Sequence, residues 1–145
     1  MRRWKWMLSL VAAVVYLPVV FASTTPAGNW TTIDDKTGVK RAQVHFIIQD
    51  GVMSGTVAKV YPRPGDSGIC SSCPGEFKDK PTLGMRIVWG LRDKGDGTWD
   101  GGRILDAKTG KIYRVKITMK GDQLIVRGYI GLSMLGRTQV WERVG

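Results

Sequence analysis

The sequence has few of the residues that most often build catalytic and metal sites. Its 145 residues include two cysteines and one histidine, and 12 Asp and Glu face 22 Lys and Arg. A zinc site needs more ligands than the cysteines and His45 supply, and His45 has no evident Asp or Ser partner for a triad. The sequence therefore predicts no catalytic residues, no metal and no cofactor, and it favours a protein that is not an enzyme.

Helical periodicity is also missing from the sequence, whereas turn signals recur at short intervals. Alternating patterns predict strands at residues 29–33, 41–49, 52–60, 85–91, 98–105, 112–119, 124–130 and 137–143. Without a crossover helix, an α/β fold is disfavoured. About eight strands with mostly short connections predict an all-β protein, a small antiparallel up-and-down barrel, because closure removes exposed edges. A two-sheet sandwich is the alternative.

Local patterns add detail to this prediction. Asp50-Gly51 predicts a type I′ hairpin, which needs positive φ at both central residues. Gly101-Gly102 predicts a bulge or sharp bend inside a strand. In the strand at residues 85–91 we expect one face to carry the larger apolar side chains, namely Met85, Ile87, Trp89 and Leu91.

The N-terminus has the features of a signal peptide. Arg2, Arg3 and Lys5 precede an apolar run over residues 7–20, and small residues before position 23 predict cleavage after Ala22. The run is shorter than the roughly 20 residues of a membrane span, and Pro18 interrupts it, which disfavours a retained anchor. We therefore expect a signal peptide at residues 1–22 and one exported domain at residues 23–145, periplasmic or secreted, without a stable membrane span after cleavage.

The mature chain would remain basic. Loss of three cations leaves 19 Lys and Arg against 12 Asp and Glu, a formal charge of +7. Such a balance favours anionic partners such as phospholipid, an envelope polymer or nucleic acid. The cations are scattered among acids, with no run of five, so a solvated surface is the preferred interpretation and no nucleic-acid partner is predicted.

Cys70 and Cys73 lie in a long connection, residues 61–82, that contains four prolines. They can form a structural disulfide, a redox-active pair or half of a metal site. A redox site of the thioredoxin type lies at a helix N-terminus, whereas here Pro74-Gly75 follows directly. A disulfide is favoured; so small a loop would gain only about 2 kcal/mol, so its main effect is to shape the loop locally.

Aromatic residues fall on or beside the predicted strands. They can line an apolar cavity or belong to ordinary core and barrel-end packing. The candidate cavity residues are Trp89, Trp99, Tyr113 and Trp141, with Trp30 and Tyr129 as further members of the set.

A series of motifs along most of the mature chain resembles the DUF2147 family of exported bacterial proteins. The resemblance implies a shared fold and a function that is uncharacterised across the family. The motifs are Gly28-x-Trp30, Asp34-Asp35-Lys36-Thr37-Gly38, Cys70-x-x-Cys73-x-Gly75, Lys78-Asp79-Lys80-Pro81, Gly84, Trp89-Gly90-Leu91, Trp99-Asp100-Gly101-Gly102-x-Ile104-Leu105-Asp106, Gly128-Tyr129 and Gly136-Arg137-Thr138-Gln139-x-Trp141.

Gly28-Asn29-Trp30 is also similar to the first-strand signature of lipocalins and related calycin barrels. This resemblance implies that a basic residue of the last strand packs over Trp30 and closes one barrel end. Arg143 is the first candidate for this residue and Arg137 the second. The Cys-x-x-Cys loop and the Gly-rich stretch at residues 99–102 depart from lipocalin patterns.

Together these features predict non-enzymatic binding of a small apolar or amphipathic molecule in the barrel mouth. A first alternative is an envelope accessory protein with a solid barrel, which contacts an envelope component through the 61–82 loop and its neighbours Arg63, Lys78 and Lys80. A second alternative is a thiol-disulfide redox protein acting through Cys70 and Cys73.

Overall fold

The computed structural model describes residues 12–19, 25–131 and 136–145, so the predicted cleavage site after Ala22 lies outside the described residues. Within these ranges the chain forms eight strands and one short 3₁₀ helix, Gly75–Phe77. The strands are β1 (Gly28–Ile33), β2 (Lys40–Gln49), β3 (Val52–Val60), β4 (Arg86–Gly95), β5 (Thr98–Asp106), β6 (Lys111–Lys120), β7 (Gln123–Tyr129) and β8 (Gly136–Arg143). In the described ranges no helix is long and apolar enough to cross a bilayer.

Each strand pairs antiparallel with the next one in sequence, and β8 pairs with β1. The result is a closed up-and-down barrel, which confirms the fold predicted from the sequence and rules out the sandwich. The β1–β8 seam is short, since it pairs only Trp30 with Arg143 and Thr31 with Glu142.

The two ends of the barrel differ. Short hairpins join β2 to β3, β4 to β5 and β6 to β7 at the end where β1 begins and β8 finishes. We call this the closed end. The other four connections lie at the opposite end, which we call the mouth, and they include residues 61–85 between β3 and β4.

Large apolar side chains fill the barrel interior. Barrels of eight strands have an interior just wide enough for side chains or for one small ligand. Phe46 and Trp141 contact each other with ring centroids 6.1 Å apart. The buried interior cluster consists of Trp30, Val44, Phe46, Met53, Val88, Leu91, Trp99, Val115, Ile117, Leu124, Val126 and Trp141.

The β2–β3 hairpin has the predicted turn. Asp50 and Gly51 adopt φ angles of 52° and 75°, both in the left-handed region that a type I′ turn requires. The predicted irregularity in β5 is also present, because the register against β6 shifts between Trp99 and Gly102.

The prediction that Leu91 shares a face with Trp89 was wrong. Gly90 takes a φ of 75° and interrupts the alternation of β4. Leu91 therefore packs inside the barrel with Val88, whereas Met85 and Trp89 belong to a second apolar cluster, and Ile87 contacts both clusters. The strand also continues to Gly95, beyond its predicted end at residue 91.

The prediction that β7 continues through Ile130 was wrong as well. The strand ends at Tyr129, and the side chain of Ile130 is 61% exposed beyond the end of the sheet.

Candidate functional site

The connection at residues 61–82, which we call the disulfide loop, folds over the outer face of β4 and β5. It covers apolar side chains that point outward from the barrel. The resulting outer cluster buries Cys70, Cys73, Met85 and Leu105, with Phe77, Ile87, Trp89 and Ala107 packed against them.

Cys70 and Cys73 form a disulfide, and both residues are buried. Backbone hydrogen bonds join the two sides of the loop around it. The Cys70 N–H donates to the Lys80 carbonyl at 2.9 Å, and the Asp79 N–H donates to the Cys70 carbonyl at 2.9 Å. The Thr82 N–H donates to the Gly68 carbonyl at 2.9 Å. The loop is therefore shaped by its own hydrogen bonds in addition to the disulfide.

The turn between β5 and β6 holds the loop from one side. Gly110 approaches Ser72 so closely that a Cβ on this glycine would overlap the Ser72 carbonyl group. Cys70 Sγ lies 3.2 Å from the carbonyl oxygen of Ala107 in the same turn. This close backbone approach requires glycine at position 110, where φ is 74°.

A groove of about 720 Å³ lies between the disulfide loop and the first residues of β4. Its floor contains Phe77 and Trp89, whose rings stack at 5.7 Å with an interplanar angle of 24°. Leu83 adds an apolar side chain that is 59% exposed. The groove is lined by Glu76, Phe77, Lys80, Pro81, Leu83, Gly84, Met85, Arg86 and Trp89.

The groove combines apolar and charged side chains in its lining. Ligand sites are concave, mostly apolar and carry a few polar groups that orient the ligand. Here the stacked rings offer a flat apolar surface, while Lys80 and Arg86 place two exposed cations at the edge. Within the described part of the chain, no group of three His, Cys, Asp or Glu side chains is placed to bind a metal.

Trp30 and Arg143 lie together at the closed end. The Arg143 Cζ atom is 4.2 Å from the Trp30 ring centroid, a cation–π contact, and Trp30 is fully buried. Arg143 Nη2 donates to the Thr25 carbonyl at 3.0 Å, and Trp30 Nε1 donates to the Pro26 carbonyl at 2.8 Å. The segment before β1 is thereby held across this end.

The other candidate residues do not meet in one cavity. Trp99 and Trp141 are interior core residues, and Trp141 Nε1 donates to Gln139 Oε1 at 2.9 Å. Tyr113 is half-buried on β6, toward the mouth. Trp89 lies outside the barrel, in the groove.

Arg137 forms an ion pair with Asp35, which connects β8 to the turn between β1 and β2. The hydrogen bond from Arg137 holds the pKa of Asp35 below its ordinary value, and the same contact raises the pKa of Arg137. The side chain of His45 contacts an asparagine: its Nδ1 lies 3.0 Å from Asn29 Oδ1. Asparagine is neither the Asp nor the Ser partner that a catalytic triad would need.

Sequence reasoning missed Phe77 and Arg86 as groove residues. Phe77 is an aromatic residue inside a stretch of turn-forming residues. Its position there was the signal in the sequence that this side chain packs against another part of the protein. In addition, β4 carries apolar side chains on both faces, at Ile87, Val88 and Trp89. A strand of this kind needs a cover on its outer side as well as a core on its inner side.

Comparisons with known proteins agree with the barrel. A solved structure described as protein HP1028 from the human pathogen Helicobacter pylori, of the lipocalin family, is similar with a TM-score of 0.73 and 16% identity over 85% of each chain. At this identity the similarity establishes the fold alone. A search of curated proteins finds no match. The family model described as "Uncharacterized protein conserved in bacteria (DUF2147)" matches residues 28–143, which is most of the chain. The protein therefore belongs to the DUF2147 family.

Proposed function

We propose that the protein is an exported, non-enzymatic binding protein for a small amphipathic molecule, and that the groove beside the disulfide loop holds this ligand. The observation that carries the proposal is the stacked pair of Phe77 and Trp89 on the floor of a 720 Å³ groove, a volume in the ordinary range of ligand sites.

The filled interior favours the groove over the barrel mouth. Trp30, Phe46 and Met53 are fully or almost fully buried inside the barrel, and the side chains around them occupy the space that a lipocalin-like ligand would need. The groove needs no such displacement, because its walls are the disulfide loop and the outer face of β4.

The lining indicates a ligand with a flat apolar part and an acidic group. Planar apolar groups stack on aromatic rings, and a carboxylate, sulfonate or phosphate would interact with Lys80 and Arg86. Glu76 on the same lining disfavours a strongly polyanionic ligand at this position.

Export to the periplasm or the medium is part of this proposal. It is supported by the basic start, the apolar run over residues 7–20 and the small residues before position 23. The closed disulfide is consistent with an oxidising compartment.

The binding proposal can be tested with 1-anilinonaphthalene-8-sulfonate, which combines a flat apolar ring system with one sulfonate. We expect saturable, blue-shifted fluorescence with the folded protein. Loss of one stacked ring in Trp89→Ala or Phe77→Ala should weaken binding about tenfold or more, because apolar contact and ring stacking are both removed. Removal of charge in Lys80→Gln/Arg86→Gln should weaken it to a smaller extent.

Tyr113→Ala is the matched control, since it removes a half-buried aromatic side chain toward the mouth. It should leave the affinity within about twofold of the original value, well under the 1.4 kcal/mol of a tenfold change. Weaker binding in Tyr113→Ala together with unchanged binding in Trp89→Ala would place the ligand in the barrel mouth and refute the groove. Absence of saturable binding would refute both sites for this class of ligand.

A second candidate function is contact with an envelope component through the disulfide loop. The observation in its favour is that Ile69 and Leu83 on or beside this loop are 48% and 59% exposed. In a pull-down from an envelope fraction, Lys78→Glu should release such a partner and leave the dye affinity unchanged. A partner that is retained by this variant would count against the loop as the contact surface.

A further inference from the structure

A row of outward-facing side chains crosses four neighbouring strands beside the groove. Trp89 of β4 is opposite Arg103 of β5, Arg103 is opposite Arg114 of β6, and Arg114 is opposite Tyr129 of β7. In the adjacent row, Lys116 of β6 is opposite Arg127 of β7. We call Arg103, Arg114, Lys116 and Arg127 the basic band.

Like charges directly opposite on neighbouring strands are destabilising. The same wall of the barrel uses complementary pairs elsewhere, with Arg92 opposite Asp100 and Asp106 opposite Lys111. The basic band departs from that arrangement in both of its cross-strand pairs. It therefore has a cost in stability that the surrounding sheet avoids.

For three members of the basic band, intramolecular carboxylates do not offset this cost. Within the described residues, Arg103, Arg114 and Lys116 have no carboxylate at ion-pair distance. Arg103 Nη1 donates to the carbonyl of its neighbour Gly102 at 3.2 Å, which leaves its charge uncompensated. Arg114 and Lys116 are exposed to solvent.

The charge is concentrated on one side of the barrel. On the opposite wall, β2 and β3 have Lys40, Arg41 and Lys59 near the mouth, whereas residues 42–58 contain no Lys or Arg and one acidic residue, Asp50. A barrel with neighbouring cations across one wall and none along the middle of the opposite wall has a preferred orientation toward an anionic surface.

We propose that the basic band docks the protein on an anionic phospholipid surface. Charge complementarity carries the proposal, and Tyr129, at the end of the row away from the groove, favours lipid over other polyanions. Trp and Tyr prefer the headgroup level of bilayers, and Ile112, which is 39% exposed on β6 near the row, adds apolar contact. This surface is separate from the lining of the groove apart from Trp89, so the inference does not depend on the proposed ligand.

Vesicle sedimentation tests the proposal with protein produced from the full coding sequence. The vesicles are phosphatidylcholine alone, or equal parts of phosphatidylcholine and phosphatidylglycerol. We expect binding to the anionic vesicles alone, and its loss in high salt. Each cation near an anionic surface strengthens binding about fivefold, so Arg114→Gln/Lys116→Gln should bind roughly thirtyfold more weakly.

Lys40→Gln/Lys59→Gln is the control with the same net charge, because both residues are exposed and lie outside the basic band. It should lose much less binding than the Arg114→Gln/Lys116→Gln variant. Equal losses in the two variants would show that only net charge matters and would overturn the proposal. Absence of binding to the anionic vesicles would also overturn the proposal. So would tighter binding of the protein to duplex DNA than to the vesicles, if the Arg114→Gln/Lys116→Gln variant weakens the DNA binding.

Discussion

At the scale of single residues, two glycines allow the barrel core to pack as it does. A Cβ on Gly55 would lie 2.8 Å from side-chain atoms of Phe46 and Val44. A Cβ on Gly102 would lie 2.6 Å from the Trp89 carbonyl oxygen and 2.7 Å from Leu91 Cγ. Side chains can move slightly, whereas a carbonyl oxygen paired in a sheet cannot. The two positions should therefore tolerate a methyl group differently.

We expect Gly102→Ala to lower the free energy of unfolding by about 1–3 kcal/mol, because the added methyl group overpacks the core against fixed backbone. Gly55→Ala should cost less, since Phe46 and Val44 can adjust. Urea unfolding followed by tryptophan fluorescence measures both values. An equal loss of unfolding free energy in the two variants would contradict this expectation. It would mean that the backbone near Trp89 moves as easily as the side chains of Phe46 and Val44 do.

The turn between β1 and β2 is predicted to depend on the ionisation of Asp34. Its Oδ1 accepts hydrogen bonds from the backbone N–H groups of Lys36 at 2.9 Å and Thr37 at 3.0 Å. These bonds, that from Lys36 first, lower the pKa of Asp34 from 3.8. A lowered pKa stabilises the folded protein above the unfolded-state pKa, and this contribution is lost as the pH falls through the folded-state pKa.

Asp34→Asn keeps an oxygen acceptor and removes the charge. We expect this variant to be less stable than the original protein at neutral pH by at most about 1 kcal/mol, because the group is near the surface. The difference should disappear as the pH falls below the lowered pKa. Unfolding curves measured from neutral to acidic pH test this expectation, and a difference that is constant with pH would contradict it.

At the scale of elements, the sequence predicted the strands well because their signals are local. The β2–β3 hairpin has Asp50-Gly51 between two alternating runs, and β3 has the predicted bounds Val52–Val60. Simple alternation also describes the face that each of β2 and β6 turns to the core. Val44 and Phe46 are buried on β2, and Val115 and Ile117 are buried on β6.

The outer cluster could not be predicted in the same way, since it depends on contacts between distant segments. Alternation in β4 cannot tell which apolar face turns inward when Val88 is on one face and Trp89 on the other. Gly90 then shifts the pattern, and only the folded chain places Phe77 on Trp89. The groove results from this packing, so its residues were predicted only in part.

The disulfide loop is predicted to resist reduction. Cys70 and Cys73 are 1% and 3% exposed, so an attacking thiolate reaches the sulfur atoms only after the loop opens. We expect the disulfide to persist in a glutathione buffer, as measured by thiol labelling and mass spectrometry. Cys70→Ser/Cys73→Ser should lose about 2 kcal/mol and weaken dye binding in the groove.

Two results would contradict this expectation. Rapid reduction by glutathione in the folded protein would favour the redox alternative. So would a Cys73→Ser variant that keeps its thermal stability and its groove but loses a cellular phenotype. Hydrogen exchange adds a structural control. When the disulfide is reduced, the loop amides of Cys70 and Thr82 should lose protection from exchange before the amides of the barrel strands do.

At the scale of the whole molecule, the barrel separates its core from its binding surfaces. The interior cluster holds the strands together, while the outer cluster attaches the disulfide loop to β4 and β5. Trp89 belongs to both proposed binding surfaces. It lines the groove, and it is the first residue of the row that contains Arg103 and Arg114. Changes in the groove and the basic band should therefore alter binding more than global stability, since neither surface contributes the interior contacts.

Export is the prediction that concerns the chain as a whole. Expressed from its full coding sequence in a bacterium, the protein should be recovered from the periplasmic fraction or the medium with Ser23 as its first residue. Its intact mass should be two hydrogens below that of the reduced mature chain, because an oxidising compartment allows the disulfide to close. Replacement of the basic start in Arg2→Glu/Arg3→Glu should retain the precursor in the cytoplasm with free thiols, since the positive n-region is lost. An unprocessed chain in the cytoplasm with the original sequence would refute export, and with it the access of the groove and the basic band to envelope lipids and ligands.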